Sequence, residues 1–312
     1  MLRPNDYSLD SNYLFYLYSD KKFRGKYESE ANGITRFGLS QESFSDTCIC
    51  MPGKSEQMAI SSFLEEQTSK IDSLISKQLE TIELLKEKRQ AIITHTVTKG
   101  LDPNVPMKDS GIEWIGEIPE HWKMKRLKYA IQLVTEKSNQ EVKQVALENI
   151  ESWSGRFIPT ETEFEGEGIR FKAGDVLFGK LRPYLAKVHR AEFSGAVVGE
   201  FFVLRPLSDI ESNFLSTWLL NREFINIVDS STYGAKMPRV GWDFMGDLLI
   251  AIPAKTEQEH ICGVIRAKTS IIDSLVSKQQ EMIELLKEHK TSLVSLAVTG
   301  KIDVRNSVQE VK

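Results

Sequence analysis

Ser73-Leu74-Ile75-Ser76-Lys77-Gln78 recurs in this chain as Ser274-Leu275-Val276-Ser277-Lys278-Gln279, and Ile82-Glu83-Leu84-Leu85-Lys86-Glu87 recurs as Ile283-Glu284-Leu285-Leu286-Lys287-Glu288. Both pairs hold one offset, 201 residues. At that offset Pro52 meets Pro253, Glu56-Gln57 meets Glu257-Gln258, Asp72 meets Asp273, and Val97-Thr98 meets Val298-Thr299. A register held this long is a duplication. It also runs backward, pairing Ser11-Asn12 with Ser212-Asn213, Leu14 with Leu215, Phe23 with Phe224 and Gly33 with Gly234. After a one-residue slip Leu2-Arg3-Pro4 meets Leu204-Arg205-Pro206. The second copy is complete from about Leu101 onward, whereas the first shows only its back half.

Residues 55–97 and 256–298 read as long amphipathic helices. Apolar residues fall at Ile60/Ile261, Leu64/Ile265, Ile71/Ile272, Leu74/Leu275, Ile82/Ile283 and Leu85/Leu286, steps that keep them on one stripe. Ser55 and Thr256 follow a proline as N-caps, Thr256 with Glu259 suits a capping box, and Gly100 and Gly300 are the stops. At 1.5 Å per residue each helix is a rod of ~60 Å. A rod with one narrow stripe needs a partner helix. The expected partner is its own repeat, antiparallel because a whole domain lies between the copies, with Ile71, Leu74, Ile82, Leu85, Ile272, Leu275, Ile283 and Leu286 packing the seam. A generic oligomerising coiled coil is the competing reading.

Between the helices, residues 103–253 mix short apolar runs with turn formers. The opening, Asp109-Ser110-Gly111-Ile112-Glu113-Trp114-Ile115-Gly116-Glu117-Ile118-Pro119-Glu120-His121-Trp122, alternates turns with apolar anchors, and Trp114 and Trp122 suit core positions. Strands are expected at Gln144–Leu147, Val176–Phe178, Val197–Val198 and Phe201–Leu204, then a helix over Asn213–Val228 and a closing run Asp247–Ile252. The fold class is α+β.

The chain has 312 residues, room for about two domains at ~150 residues each. No apolar run approaches a membrane span and Met1-Leu2-Arg3-Pro4-Asn5-Asp6 is polar, so cytoplasmic residence is expected. Cys48, Cys50 and Cys262 make no disulfide framework, and the five histidines are too scattered for a finger-type metal site. The net charge of −4 means that any nucleic-acid binding must come from a local basic face.

Several stretches together resemble the specificity subunits of type I restriction-modification systems. They are the Asp109-to-Trp122 segment with Arg126-Leu127-Lys128; Gly179-Lys180-Leu181-Arg182-Pro183-Tyr184-Leu185-Ala186-Lys187; Phe202-Val203-Leu204-Arg205-Pro206; Gly234-Ala235-Lys236-Met237-Pro238-Arg239-Val240; and Ile252-Pro253 running into Glu257-Gln258. The final helix, ending Leu296-Ala297-Val298-Thr299-Gly300-Lys301, completes the order. The resemblance implies two target recognition domains alternating with two conserved helices that pair as a spacer. It implies double-stranded DNA as a partner, each domain reading half of a split site. Methylation subunits carrying S-adenosylmethionine, and restriction subunits using ATP and Mg, would complete the complex. This chain itself would hold no cofactor and be no enzyme. A ~60 Å spacer exceeds one duplex turn of ~34 Å, which suits a bipartite site.

On that reading residues 1–53 are the remnant of a first recognition domain, 54–102 the first spacer helix, 103–253 a complete recognition domain, and 254–312 the second helix and tail. A complete first domain would need roughly 100 further residues before Met1. A start codon placed too far downstream, or a partial gene such as a silent cassette, are the two expectations for that difference.

From Arg170 to Arg190 the chain carries Arg170, Lys172, Lys180, Arg182, Lys187 and Arg190 against acidic Asp175, a strip suited to phosphates. The loop Ser230-Ser231-Thr232-Tyr233-Gly234-Ala235-Lys236-Met237-Pro238-Arg239 adds hydroxyls, an aromatic ring and two cations, a mix suited to groove contact. The candidate DNA-binding residues are Lys180, Arg182, Tyr184, Lys187, Tyr233, Lys236 and Arg239, with Arg182 also a candidate brace of its own loop. Catalytic and metal-ligating residues are absent from the expectation. Gly174-Asp175-Val176-Leu177-Phe178-Gly179-Lys180 nearly spells a phosphate loop, but Leu181 stands where Ser or Thr is needed. Glu141-Val142-Lys143 lacks an upstream Asp, Gly166-Glu167-Gly168 alone is no cofactor loop, and no Asn-Pro-Pro-aromatic methylation motif appears. The rival readings are a coiled-coil scaffold that never touches DNA, a free-standing nuclease or methyltransferase, and an inactive fragment.

Overall fold

The computed structural model describes residues 8–30, 48–138, 142–160 and 167–304. Leu2-Arg3-Pro4, Gly33, Glu141 and Gly166 lie outside the described residues. The protein is mixed helix and sheet and divides into two compact units, Met1–Leu84 with Ser274–Lys312, and Leu85–Asp273.

The first unit contains α1 (Ser11–Ser19), α2 (Lys21–Glu30), the front part of α3 (Lys54–Lys99) and the back part of the last helix, Lys255–Val298. Tyr13, Leu14 and Leu17 of α1 share a core with Ile60 and Leu64 from one long helix and Val294, Ala297 and Val298 from the other. The N-terminal half of one therefore lies against the C-terminal half of the other, an antiparallel pairing. Lys290 caps the arrangement by reaching both carboxylate oxygens of Asp72 at 2.7 Å. In the second unit the same contacts recur one repeat later. Phe214, Leu215 and Trp218 share a core with Ile261, Ile265, Ile93 and Val97, and Arg89 meets Asp273 at 3.0 Å. Asp72 and Asp273 are repeat equivalents, as are Arg89 and Lys290, so one ion pair is built twice. The more exposed Lys290–Asp72 pair contributes little, about 0.2–1 kcal/mol.

The duplication extends to a buried amide. Gln57 accepts from the Asp10 backbone N–H at 2.7 Å and donates to the carbonyls of Ser8 and Pro52. Gln258 accepts from Glu211 N–H at 2.8 Å and donates to Asp209 and Pro253. Every partner is shifted by the same 201 positions. These glutamines fix the helix starts, which corrects the capping expectation. The helices begin at Lys54 and Lys255, with Glu56 and Gln57 N–H donating to Gly53 and Glu257 and Gln258 N–H to Ala254. Ser55 and Thr256 therefore lie inside the first turn, and Thr256 and Glu259 do not form a capping box. Gly100 (φ 77°) and Gly300 (φ 68°) end the helices in the left-handed region that glycine adopts readily.

The seam also needs a correction. Ile71, Ile82, Ile272 and Ile283 are buried and Leu85 and Leu286 half-buried, but Leu74 (46% exposed) and Leu275 (41%) face away from it. The step after Ile71 is four residues, not three, so half-buried Ile75 and Val276 continue the stripe. The buried or half-buried set 57, 61, 64, 68, 71, 75, 78, 82 is a 3–4 alternation, the spacing of paired helices.

Among the described residues the strands lie in the second unit. In chain order they are β1 (Met107–Asp109), β2 (Glu117–Pro119), β3 (Lys123–Arg126), β4 (Ile131–Val134), β5 (Lys137–Ser138), β6 (Gln144–Val145), β7 (Gly168–Phe171), β8 (Val176–Gly179), β9 (Val188–Arg190), β10 (Gly195–Val197), β11 (Phe201–Pro206) and β12 (Leu249–Ile252). An antiparallel sheet in the order β4-β11-β8-β9 packs near a mixed sheet β5-β7-β10-β6, and β12 pairs with β3. Strand β8 is buried throughout, which is why the near-phosphate-loop stretch is core and not a cradle. Bidentate pairing of Arg205 on β11 with buried Asp175, at 2.8 and 2.7 Å, ties the turn before β8 to that sheet.

The helix expected over 213–228 is two. α5 (Ser212–Leu219) and α6 (Arg222–Ser230) are split at Asn221, which takes extended backbone and caps α6 through its side chain to Glu223 N–H. Two short helices, α4 (Leu127–Ala130) and α7 (Trp242–Asp247), flank the β3/β12 ribbon, and α8 (Lys255–Val298) follows β12. Trp122 is 1% exposed with its indole N–H on Glu257 at 3.0 Å, and Trp114 packs edge-on to Phe224, so both are core anchors.

The seam register yields a contrast measurable by chemical denaturation. Ile283→Ala should cost about 2–4 kcal/mol, as buried large-to-small changes do. Leu275→Ala should stay within about 0.5 kcal/mol, as at other exposed sites.

Candidate nucleic-acid interface

Two loops of the second unit come together at the end of β8. Gly179 closes that strand where a Cβ would lie 3.0 Å from the Leu147 side chain. The chain then makes a short 3-10 turn, Pro183–Leu185, flanked by Arg182 (φ 51°) and Ala186 (φ 45°), both left-handed and neither a glycine. Such residues cost of order 1–3 kcal/mol each and persist only where the surroundings over-determine them. Here the surroundings do. Arg182 N–H donates to Pro238 at 2.8 Å, Ala186 N–H to Pro183 at 2.7 Å, and Trp153 N–H to Ala186 at 3.2 Å. Arg182 also precedes a proline, where helical backbone is disfavoured, so the loop holds a conformation that its sequence alone would not choose.

The second loop is a hairpin. Tyr233 and Arg239 exchange backbone hydrogen bonds at 3.1 and 3.0 Å, and Gly234 (φ 96°) makes the bend. Leu181 bridges Arg239, and Val240 N–H donates to Lys180 at 3.1 Å, which completes a backbone ladder between the loops. The ladder leaves Arg182, Tyr184 (45% exposed), Tyr233 (65%), Lys236 and Met237 (48%) facing out. Two cations, two phenols and an apolar tip thus share one braced surface.

Three sequence-chosen residues have other occupations. Lys187 donates its Nζ to the Leu147 and Ile150 carbonyls at 2.6 and 2.9 Å, and burial pulls its ammonium below the ordinary lysine range. It ties its own loop to the Leu147–Ile150 turn. Arg239 is clamped on Glu200 by two hydrogen bonds of 2.9 and 2.8 Å, which hold the Glu200 carboxyl below its usual value. It braces the hairpin, while Arg182, which was also a candidate brace of its own loop, has its side chain exposed. Lys180 is half-buried with its ammonium 5.6 Å from the Phe202 ring centre, at the rim of the surface. Met237 was not among the expected contacts; its place at a hairpin tip between Lys236 and Pro238 was the available signal. Arg170 is drawn toward Glu136 at 3.6 Å, and Arg190 lies elsewhere in this unit. Among the described residues no group of three or more His, Cys, Asp or Glu could hold a metal ion. Among them, too, no helix is long and apolar enough to cross a membrane.

No family model matches the chain. It is 21% identical over 301 residues to the type I restriction enzyme EcoDI specificity subunit of Escherichia coli, covering 89% of this chain and 67% of that one. It is 24% identical over 319 residues to the MjaVIII specificity subunit of Methanocaldococcus jannaschii, covering 96% and 72%. The chain is a homologue of type I restriction specificity subunits. Two solved structures share its fold. One, from a study of complex assembly and conformational transition of the type I R-M system, superposes with a TM-score of 0.71 at 14% identity over 95% of this chain and 73% of the other. The HsdS subunit of Thermoanaerobacter tengcongensis gives 0.52 at 15% identity, over 96% and 73%.

The two classes of lysine and arginine separate experimentally. Lys187→Ala should lower stability by about 1–3 kcal/mol, the usual cost of stripping partners from buried polar groups. Arg182→Ala should leave the melting temperature unchanged. A thermal-shift comparison of the two variants checks this.

Proposed function

We propose that this chain supplies DNA sequence specificity to a type I restriction-modification complex, reading one half of a bipartite duplex site through the Lys180–Lys187 and Ser230–Arg239 loops. The observation that carries the reading is the braced surface on which Arg182, Tyr184, Tyr233 and Lys236 converge. Guanidinium and ammonium groups address guanine O6 and N7 in the major groove, phenol hydroxyls reach phosphates, and Met237 offers apolar contact to a thymine methyl. Rigid backbone matters because a side chain must be aimed to discriminate bases, and the ladder between the loops provides it.

The paired helices are read as the docking surface for methylation subunits. Within the first unit, Leu74 and Leu84 on one helix and their equivalents Leu275 and Leu285 on the other are large apolar side chains left exposed. One duplicated apolar surface per helix suits two copies of one partner. In this reading S-adenosylmethionine, ATP and Mg belong to the methylation and restriction subunits, and the assembly works in the cytoplasm. A coiled-coil scaffold or silent-cassette fragment that leaves DNA alone is the other reading, and DNA titration separates them.

Fluorescence anisotropy of the chain with its methylation subunit on duplex DNA is the test. Lys236→Ala should weaken binding evenly across sequences and reduce the logarithmic salt slope by about 1. Arg182→Ala should cost about 1–3 kcal/mol on the preferred sequence and relax discrimination. Salt-insensitive binding, or binding indifferent to both changes, would refute the proposed surface. In the same complex, Leu84→Glu with Leu285→Glu should abolish capture of the methylation subunit in a pull-down without altering the melt of the free chain.

A further inference from the structure

A cavity of about 740 Å3 in the second unit takes no part in the reading surface. Its walls come from the turn at Ser154–Phe157, from β9, from α5, and from facing parts of α3 and α8. The volume is that of a small-molecule site, which typically spans about 300–1,000 Å3.

Four arginines line it against one carboxylate, Glu192. Two of them are already occupied. Arg156 is bidentate to Glu151 at 3.1 and 2.9 Å, and Arg89 is divided between Asp273 and the Trp153 carbonyl, each at 3.0 Å. The other two are not. Arg190 gives only its Nε to the Ser212 hydroxyl at 3.2 Å, and neither Arg190 nor Arg266 has a carboxylate partner among the described residues. Open guanidinium forks match the several oxygens of a phosphate, to which they can donate in pairs.

The remaining wall is apolar. Ile93, Phe157, Leu220 and Ile265 form it, a surface that suits a flat ring. His189, 7% exposed, sits on β9 in the same wall. Its Nδ1 lies 2.8 Å from the Gly155 carbonyl, which can only accept, so the proton is on Nδ1 and Nε2 keeps a bare lone pair. Burial holds this imidazole below its ordinary pKa. Gly155 itself is required: at φ 70° a Cβ would fall 2.3 Å from the Val188 carbonyl, so the turn that shapes the wall admits no side chain there.

We propose that this cavity binds a phosphomonoester of mononucleotide size, with Arg190 and Arg266 on the phosphate and the Ile93, Phe157, Leu220 and Ile265 side chains against its ring. The proposal stands apart from the DNA reading, since it uses none of the loop residues. Isothermal titration calorimetry of the full chain with a panel of nucleoside 5′-monophosphates tests it, with adenosine and inorganic phosphate as the separated halves. One nucleotide should bind at a single site, about tenfold or more tighter than either half, a gap of at least ~1.4 kcal/mol. Arg190→Gln with Arg266→Gln should weaken it by about tenfold or more while leaving adenosine unaffected. Should the double variant not fold, Arg266→Gln alone, at an exposed helix position, should still weaken it severalfold. Three outcomes overturn the proposal: no saturable binding of any nucleotide, phosphate binding as tightly as the nucleotide, or displacement of the nucleotide by a short DNA duplex, which would assign the arginines to nucleic acid.

Discussion

A long helix with a single narrow apolar stripe cannot stand by itself in water, and the rest of this protein depends on how that stripe is covered. The chain solves the problem by repeating the helix and laying the copy antiparallel. Buried Ile60 and Leu64 meet Val294 and Val298 in one unit, and Ile261 and Ile265 meet Ile93 and Val97 in the other. An antiparallel pair of equal helices must make each contact twice, and it does. The Asp72–Lys290 and Arg89–Asp273 pairs, and the glutamine clamps at positions 57 and 258, are single designs used in duplicate. Helix packing of this kind draws its stability from burial, with the ion pairs contributing register more than energy.

The surface proposed to read DNA is constrained in another way. Its side chains belong to irregular loops, which ordinarily wander. Two non-glycine residues in left-handed conformation are held by hydrogen bonds from the neighbouring hairpin and from the Trp153 turn, and the Arg239–Glu200 clamp fixes the hairpin stem. Strain and bracing together leave Arg182, Tyr184, Tyr233 and Lys236 exposed on one surface. The same Trp153 turn presents its carbonyl to Arg89 and, two residues later, Gly155 to His189, so the loop and the arginine-lined cavity share one wall segment.

Much of this was legible in the residues. The 201-residue register gave the paired helices, and the buried run at 176–178 gave a core strand where a phosphate loop was nearly spelled. The loops at 180–187 and 230–239 were singled out by composition, and the structure packs them side by side. What was not legible lies in partners far along the chain. Lys187 is consumed by carbonyls of Leu147 and Ile150, and Arg239 by Glu200, pairings that no local pattern announces. Leu74 and Ile75 are both apolar, so a step of three or four from Ile71 fits the helix equally well until the partner is in place. The break at Asn221 was hidden for the same reason: its side chain caps α6 and also accepts from Thr94 on a distant helix.

Whether the braced loop surface reads base sequence is decided by selection. Duplexes containing a randomised segment are presented to the full chain with its methylation subunit, and the retained pool is sequenced. One short motif should be enriched, and it should disappear when Gly234–Pro238 is replaced by a neutral turn. Retention of the pool without any enriched motif, or the same motif after that replacement, would contradict sequence reading by this surface.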